Sequence, residues 1–85
     1  MNRPSPNVRA SHGPDGSVLI DVDQGLIFSL NITGSLVWSQ IEYGRSPEEI
    51  AAEISRQFEI PPQQALDDIL ALMQALEDRQ LLVAH

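Results

Sequence analysis

The side chains able to do acid–base or nucleophilic chemistry are not spaced in this chain in a way that suits it. The only histidines are His12, in a turn-rich stretch, and His85, at the last position. Neither has a serine or carboxylate at a spacing diagnostic of a triad or a metal site. Cysteine is absent, which removes thiolate nucleophiles, thiolate metal sites and disulfides. Gly13, Gly16, Gly25, Gly34 and Gly44 are scattered over turns and helix ends, with no G-x-G-x-x-G or P-loop pattern. No nucleophile with a base, metal cluster or cofactor loop can be assembled, so the residues predict a non-enzyme that needs no cofactor and no metal.

The carboxylates are numerous but have a simpler explanation. Glu48, Glu49 and Glu53 stand where a helix start and a solvated face place acidic groups, offsetting the positive end of the helix dipole. The same reasoning covers Asp67 and Asp68. Asp68, however, also falls at the margin of an apolar helix face next to Leu72, where it can meet a basic or amide group of a bound chain. Trp38, the only tryptophan, lies on an apolar helix face and reads as a core anchor.

With 12 acidic and 5 basic side chains, the formal charge of −7 repels nucleic acid. A chain of 85 residues forms one thin core and cannot also enclose a substrate cavity, so any binding site is a groove or a face. The first residues lack an apolar run, which predicts neither a signal peptide nor a membrane span. A chain without cysteine is at home in a reducing compartment, so the expectation is a cytoplasmic protein with no membrane partner.

These groups are carried by a strand-like third followed by a helical two-thirds. Residues 1–6 are polar and Pro-rich and read as a disordered lead-in, with a single domain over 7–85. Gly13-Pro14-Asp15-Gly16 is turn chemistry ahead of a strand over Ser17 to Val22 that alternates around Val18, Ile20 and Val22. A turn at Asp23-Gln24-Gly25, with positive φ near Gly25, leads into Leu26 to Leu30, where Leu26, Phe28 and Leu30 share one face. Asn7 to Ser11 can supply a third, weaker strand.

Asn31 or Thr33 then caps a helix through Leu36, Val37, Trp38 and Ile41 that ends at Gly44. Ser46-Pro47-Glu48-Glu49 is a capping box that opens a second helix, with Ile50, Ala51, Ile54 and Phe58 as its buried stripe. A third helix opens at Pro61 or Pro62 and runs through Leu66, Ile69, Leu70, Met73 and Leu76. Its apolar arc, from Leu72 round to Leu70, spans about 160°, wider than a surface helix needs. Leu81-Leu82-Val83 can fold back on the core. The order predicts an α+β fold resembling a winged helix with its sheet first: an antiparallel sheet of two or three strands, then three helices. A sheet this small leaves exposed edges, which an extended peptide can close by adding itself as a strand.

The combination Leu30-Asn31-x-Thr33-Gly34-x-x-x-Trp38, followed by Gly44-x-Ser46-x-Glu48-Glu49-Ile50-Ala51 and the later Asp68-Ile69, Leu76 and Leu81-Leu82, resembles the PqqD family. Its members are the small proteins or domains called RiPP recognition elements, which bind leader segments of ribosomally made precursor peptides. The resemblance covers about residues 17 to 83, and it looks closest to the stand-alone leader-binding proteins of lasso-peptide biosynthesis. One departure is that Arg79-Gln80 precede the final apolar pair where the family often has glycine, so the last helix is expected to end without a left-handed cap.

The resemblance implies a non-catalytic module whose partners are the precursor leader, a separate leader peptidase and a macrocyclase, acting as a monomer or weak homodimer. The leader would pair with Leu26, Ile27, Phe28, Ser29 and Leu30 and pack on the helix edge holding Ala65, Asp68, Leu72 and Met73. Three other readings remain open: a peptide chaperone of pyrroloquinoline quinone type with a radical-SAM partner, a DNA-binding winged helix, and a dimeric scaffold. The DNA reading has to contend with a third helix that carries Asp67, Asp68, Glu77 and Asp78 against Arg79 alone.

Overall fold

Turn residues punctuate the first third of the chain, and in a computed structural model they fold it into an antiparallel meander. The structure describes residues 2 to 84, and the side chains of residues 3 to 83. The elements are β1 (Asn2–Pro4), β2 (Val8–Gly13), β3 (Gly16–Asp21), β4 (Leu26–Leu30), α1 (Ile32–Glu42), α2 (Pro47–Phe58), α3 (Pro62–Asp78) and β5 (Leu82–Ala84). Strands β2, β3 and β4 form one sheet in that order, leaving β4 at an edge. The result is the expected α+β arrangement, with the sheet ahead of the three helices.

The first hairpin closes over Pro14-Asp15, with Gly13 paired to Gly16. In the second hairpin Leu19 faces Phe28 and Asp21 faces Leu26. Cross-strand partners lie on one face, so the inward turn of Leu26, Phe28 and Leu30 carries Ser17, Leu19 and Asp21 inward with them. All three are buried. This corrects the expected facing of β3: Val18 and Ile20 lie on the outer face, and Val22 is exposed beyond the strand. Asp21 tolerates burial because the turn serves it: Gln24 donates to its carboxylate from the backbone amide at 3.2 Å and from Nε2 at 2.7 Å.

Helix α1 begins where Asn31 Oδ1 accepts from the Gly34 amide at 2.8 Å, which settles the cap on Asn31. Val37, Trp38 and Ile41 are buried beneath the sheet. Helix α2 opens with the reciprocal capping box of Ser46 and Glu49. There the Ser46 amide and hydroxyl hold the Glu49 carboxyl below the usual carboxylate range. Its stripe buries Ile50, Ala51 and Ile54, but Phe58 is 42% exposed, a correction to its expected place in the core. Helix α3 packs on α2 through Ala65, Ile69, Met73 and Leu76.

Two expectations at the chain ends are overturned. Asn2–Pro4 pairs with Leu82–Ala84, and the Ser5 amide donates to Leu81 O at 3.0 Å. The stretch expected to be a disordered lead-in is therefore strand from residue 2 to residue 4, because the apolar C-terminal tail offers it a backbone partner. The end of α3 is also capped after all. Gln80 takes a φ of 60°, its amide donates to Glu77 O, and the Leu81 amide donates to Leu76 O at 2.9 Å. That bond pattern is a Schellman motif with glutamine in the left-handed position. It turns Leu81 and Leu82 into the core, where both are buried. His85 and Met1 lie outside the described residues.

Candidate functional site

The over-wide apolar arc of α3 and the edge strand β4 meet along a groove of about 520 Å³. Strand β4 contributes Phe28, Ser29 and Leu30, and α3 contributes Ala65, Asp68, Ile69 and Leu72. The floor comes from α1 through Asn31, Thr33, Gly34 and Val37, and the far end from Ile54, Phe58 and Ile60. The lining is mainly apolar, and Asp68 is its only charged residue. An apolar trough with a few convergent polar groups is the usual form of a ligand-binding cleft.

At one end, two side chains bridge the β3–β4 hairpin and the end of α3. Gln24 Nε2 donates to Asp21 and also to Arg79 O at 3.0 Å, which ties the β3–β4 turn to the last turn of α3. The Arg79 guanidinium carbon stands 5.0 Å from the centre of the Phe28 ring, within cation–π range. The same ring faces the groove. At the other end β4 passes directly into the Asn31 cap, so strand and floor are continuous in sequence.

The sequence-predicted residues divide cleanly. Phe28, Ser29, Leu30, Ala65, Asp68 and Leu72 are brought together around the groove. Leu26 is half-buried against the core and Ile27 is exposed on the outer face; both contribute to β4 without lining the trough. Met73 is a correction: one position beyond Leu72 turns a helical side chain by about 100°, and Met73 is buried in the core instead. The floor residues Thr33, Gly34 and Val37 were not foreseen. The signal available was their direct succession to β4.

His12 acquires a partner that spacing did not reveal. Its Nδ1 lies 2.6 Å from Ser17 Oγ, which is hydrogen-bonded in turn to Ser35 Oγ. Ser17 is buried, so this chain of side chains ties the first hairpin to α1 beneath the surface. Among the described residues no group of three His, Asp or Glu side chains is placed to hold a metal ion, and no helix is long and apolar enough to cross a membrane.

The model of the family described as coenzyme PQQ synthesis protein D (PqqD) matches residues 16–82. This chain belongs to the PqqD family. Two solved structures share the fold over nearly its whole length. One is TbiB1 in complex with the TbiA(beta) leader peptide, 30% identical, with a TM-score of 0.91 over 98% of this chain and 96% of that one. The other is a lasso peptide synthetase B1 complexed with the leader peptide, 26% identical, with a TM-score of 0.90 over 98% of each chain. No curated protein sequence matches significantly. This PqqD-family chain therefore has the architecture of two B1 proteins, each solved with a leader peptide bound.

Proposed function

We propose that this protein is a non-catalytic recognition element that binds the leader of a ribosomally made precursor peptide, in a lasso-peptide pathway, and delivers it to a leader peptidase and a macrocyclase. The observation that carries this reading is an edge strand lying beside an apolar groove, in a chain that superposes on two leader-bound B1 proteins. The leader adds to β4 as a further strand. Main-chain hydrogen bonds supply affinity without regard to sequence, and alternate leader side chains drop into the trough between Phe28 and Leu72. Selectivity then resides on the α3 side, where side chains rather than backbone meet the peptide.

The same geometry supports delivery without catalysis. A peptide held by its leader leaves its core segment free for enzymes that need not recognise the core themselves, and linking the two raises their effective concentration. The test is fluorescence polarisation of the labelled leader encoded beside this gene, titrated with the protein, next to a scrambled peptide of the same composition. Saturable binding of the native leader alone is the expected result. Equal binding of both peptides, or of neither, overturns the reading.

A further inference from the structure

Helix α3 presents one line of residues to the groove. Ala65, Asp68 and Leu72 of α3 and Arg79, the residue that caps its end, recur at intervals of three, four and seven, spacings that keep side chains on one helix face. Asp68 and Leu72 line the trough, and Arg79 stands over the Phe28 ring that also lines it. The rim therefore has a carboxylate on one side of Leu72 and a guanidinium on the other. Asp68 is exposed and makes no hydrogen bond or ion pair among the described residues. Arg79 is also exposed, and its Nη1 donates to Ala75 O at 3.1 Å.

Granted that a leader strand occupies this groove, we infer that the α3 rim reads the order of charges along it: a basic side chain opposite Asp68 and, about four residues away on the same face of the strand, an acidic one opposite Arg79. The spacing follows from the helix. Arg79 bends back to the level of Ala75, seven residues past Asp68, so the two charged groups are separated by about 10.5 Å along the axis at 1.5 Å per residue. An even interval returns a strand side chain to the same face, and since an extended chain covers about 7 Å in two residues and about 13 Å in four, four is the even interval nearest to that separation. Apolar contacts and strand pairing are nearly blind to chain direction. Two opposite charges, Asp68 in the lining and Arg79 over the Phe28 ring, are not, so they favour one direction and one register.

The experiment replaces each leader residue in turn by lysine and by glutamate and measures binding to the wild-type protein, Asp68→Asn and Arg79→Gln by fluorescence polarisation. One position is expected to prefer lysine over glutamate by about threefold to tenfold, and a second, four residues away, to show the reverse preference. Asp68→Asn erases only the first preference and Arg79→Gln only the second, and high salt shrinks both. Circular dichroism confirms that the variants are folded. Saturable binding without a paired charge preference, or preferences that survive in both variants, overturns the charge-order inference and leaves leader binding standing. Absence of binding by the unsubstituted leader overturns both.

Discussion

Gly16 approaches Leu30 so closely that a β-carbon on Gly16 would stand 2.0 Å from the Leu30 carbonyl oxygen. The contact is backbone against backbone, and Gly16 also holds a φ of 141°, which side chains other than hydrogen rarely allow. The turn of the first hairpin is thereby seated on the junction where the edge strand becomes the floor of the groove. Gly16→Ala is expected to destabilise the fold by about 3 kcal/mol or more, since neither partner can yield by rotating a side chain. Urea unfolding measures it. A loss below about 1 kcal/mol would mean that the hairpin relaxes away from Leu30.

Gln80 occupies a left-handed position that favours glycine. Its side chain makes no hydrogen bond among the described residues. Gln80→Gly is expected to raise stability by about 0.5–1 kcal/mol, because relief of the left-handed strain outweighs the added freedom of the unfolded chain. Thermal and chemical unfolding, compared with Gln74→Gly within α3 as a control of opposite sign, decide the point.

Leu72 is half-buried at the rim and lines the groove, whereas Met73 beside it is buried in the core. Leu72→Asp is expected to weaken leader binding at least tenfold while costing the fold about 1 kcal/mol, and Met73→Asp to unfold the protein. Paired polarisation and unfolding measurements separate the two. A folded Leu72→Asp variant that binds normally would remove the α3 rim from the site.

Asp21 is held below the usual carboxylate range, first by the Gln24 side-chain amide and then by backbone amides, against the opposing effect of burial. A lowered folded-state value means that the unfolded chain takes up the proton more readily. Stability from this group is therefore fully present above the unfolded value, near pH 4, and is lost as pH falls through the folded value. Gln24→Ala is expected to flatten that acid dependence. It also releases the β3–β4 turn from Arg79 O, so leader binding is expected to weaken at neutral pH, where the acid effect is absent. Unfolding curves from pH 3 to pH 6, set beside leader titration at neutral pH, check both outcomes.

Much of the fold was legible because its signals are local. The Ser46-Pro47-Glu48-Glu49 box names the start of α2, the pair Pro61-Pro62 brackets that of α3, and alternation of Leu26, Phe28 and Leu30 names the inward face of the edge strand. Each is a short-range consequence of backbone geometry and needs no partner elsewhere in the chain. The width of the α3 arc likewise announced a surface that the core alone does not use, and Asp68 at its margin lies in the lining of the groove.

What the tertiary structure decided depended on partners distant in sequence. Val18 and Ile20 look like the buried face of β3, yet pairing with β4 committed Ser17, Leu19 and Asp21 to the interior, because one strand of a hairpin cannot choose its face independently of the other. Asn2–Pro4 carries no apolar pattern and became a strand only because β5 lies alongside it. A turn of about 100° sent Met73 to the core and left Leu72 at the rim, a distinction invisible until α2 fixed the rotation of α3. The sequence by itself determined the three helices and the strands of the larger sheet. The groove, its floor from α1 and α2, and the two charges facing along it exist only once helices and edge strand are packed, since burial is settled by the sum of contacts from every neighbour and not by the residue's own type.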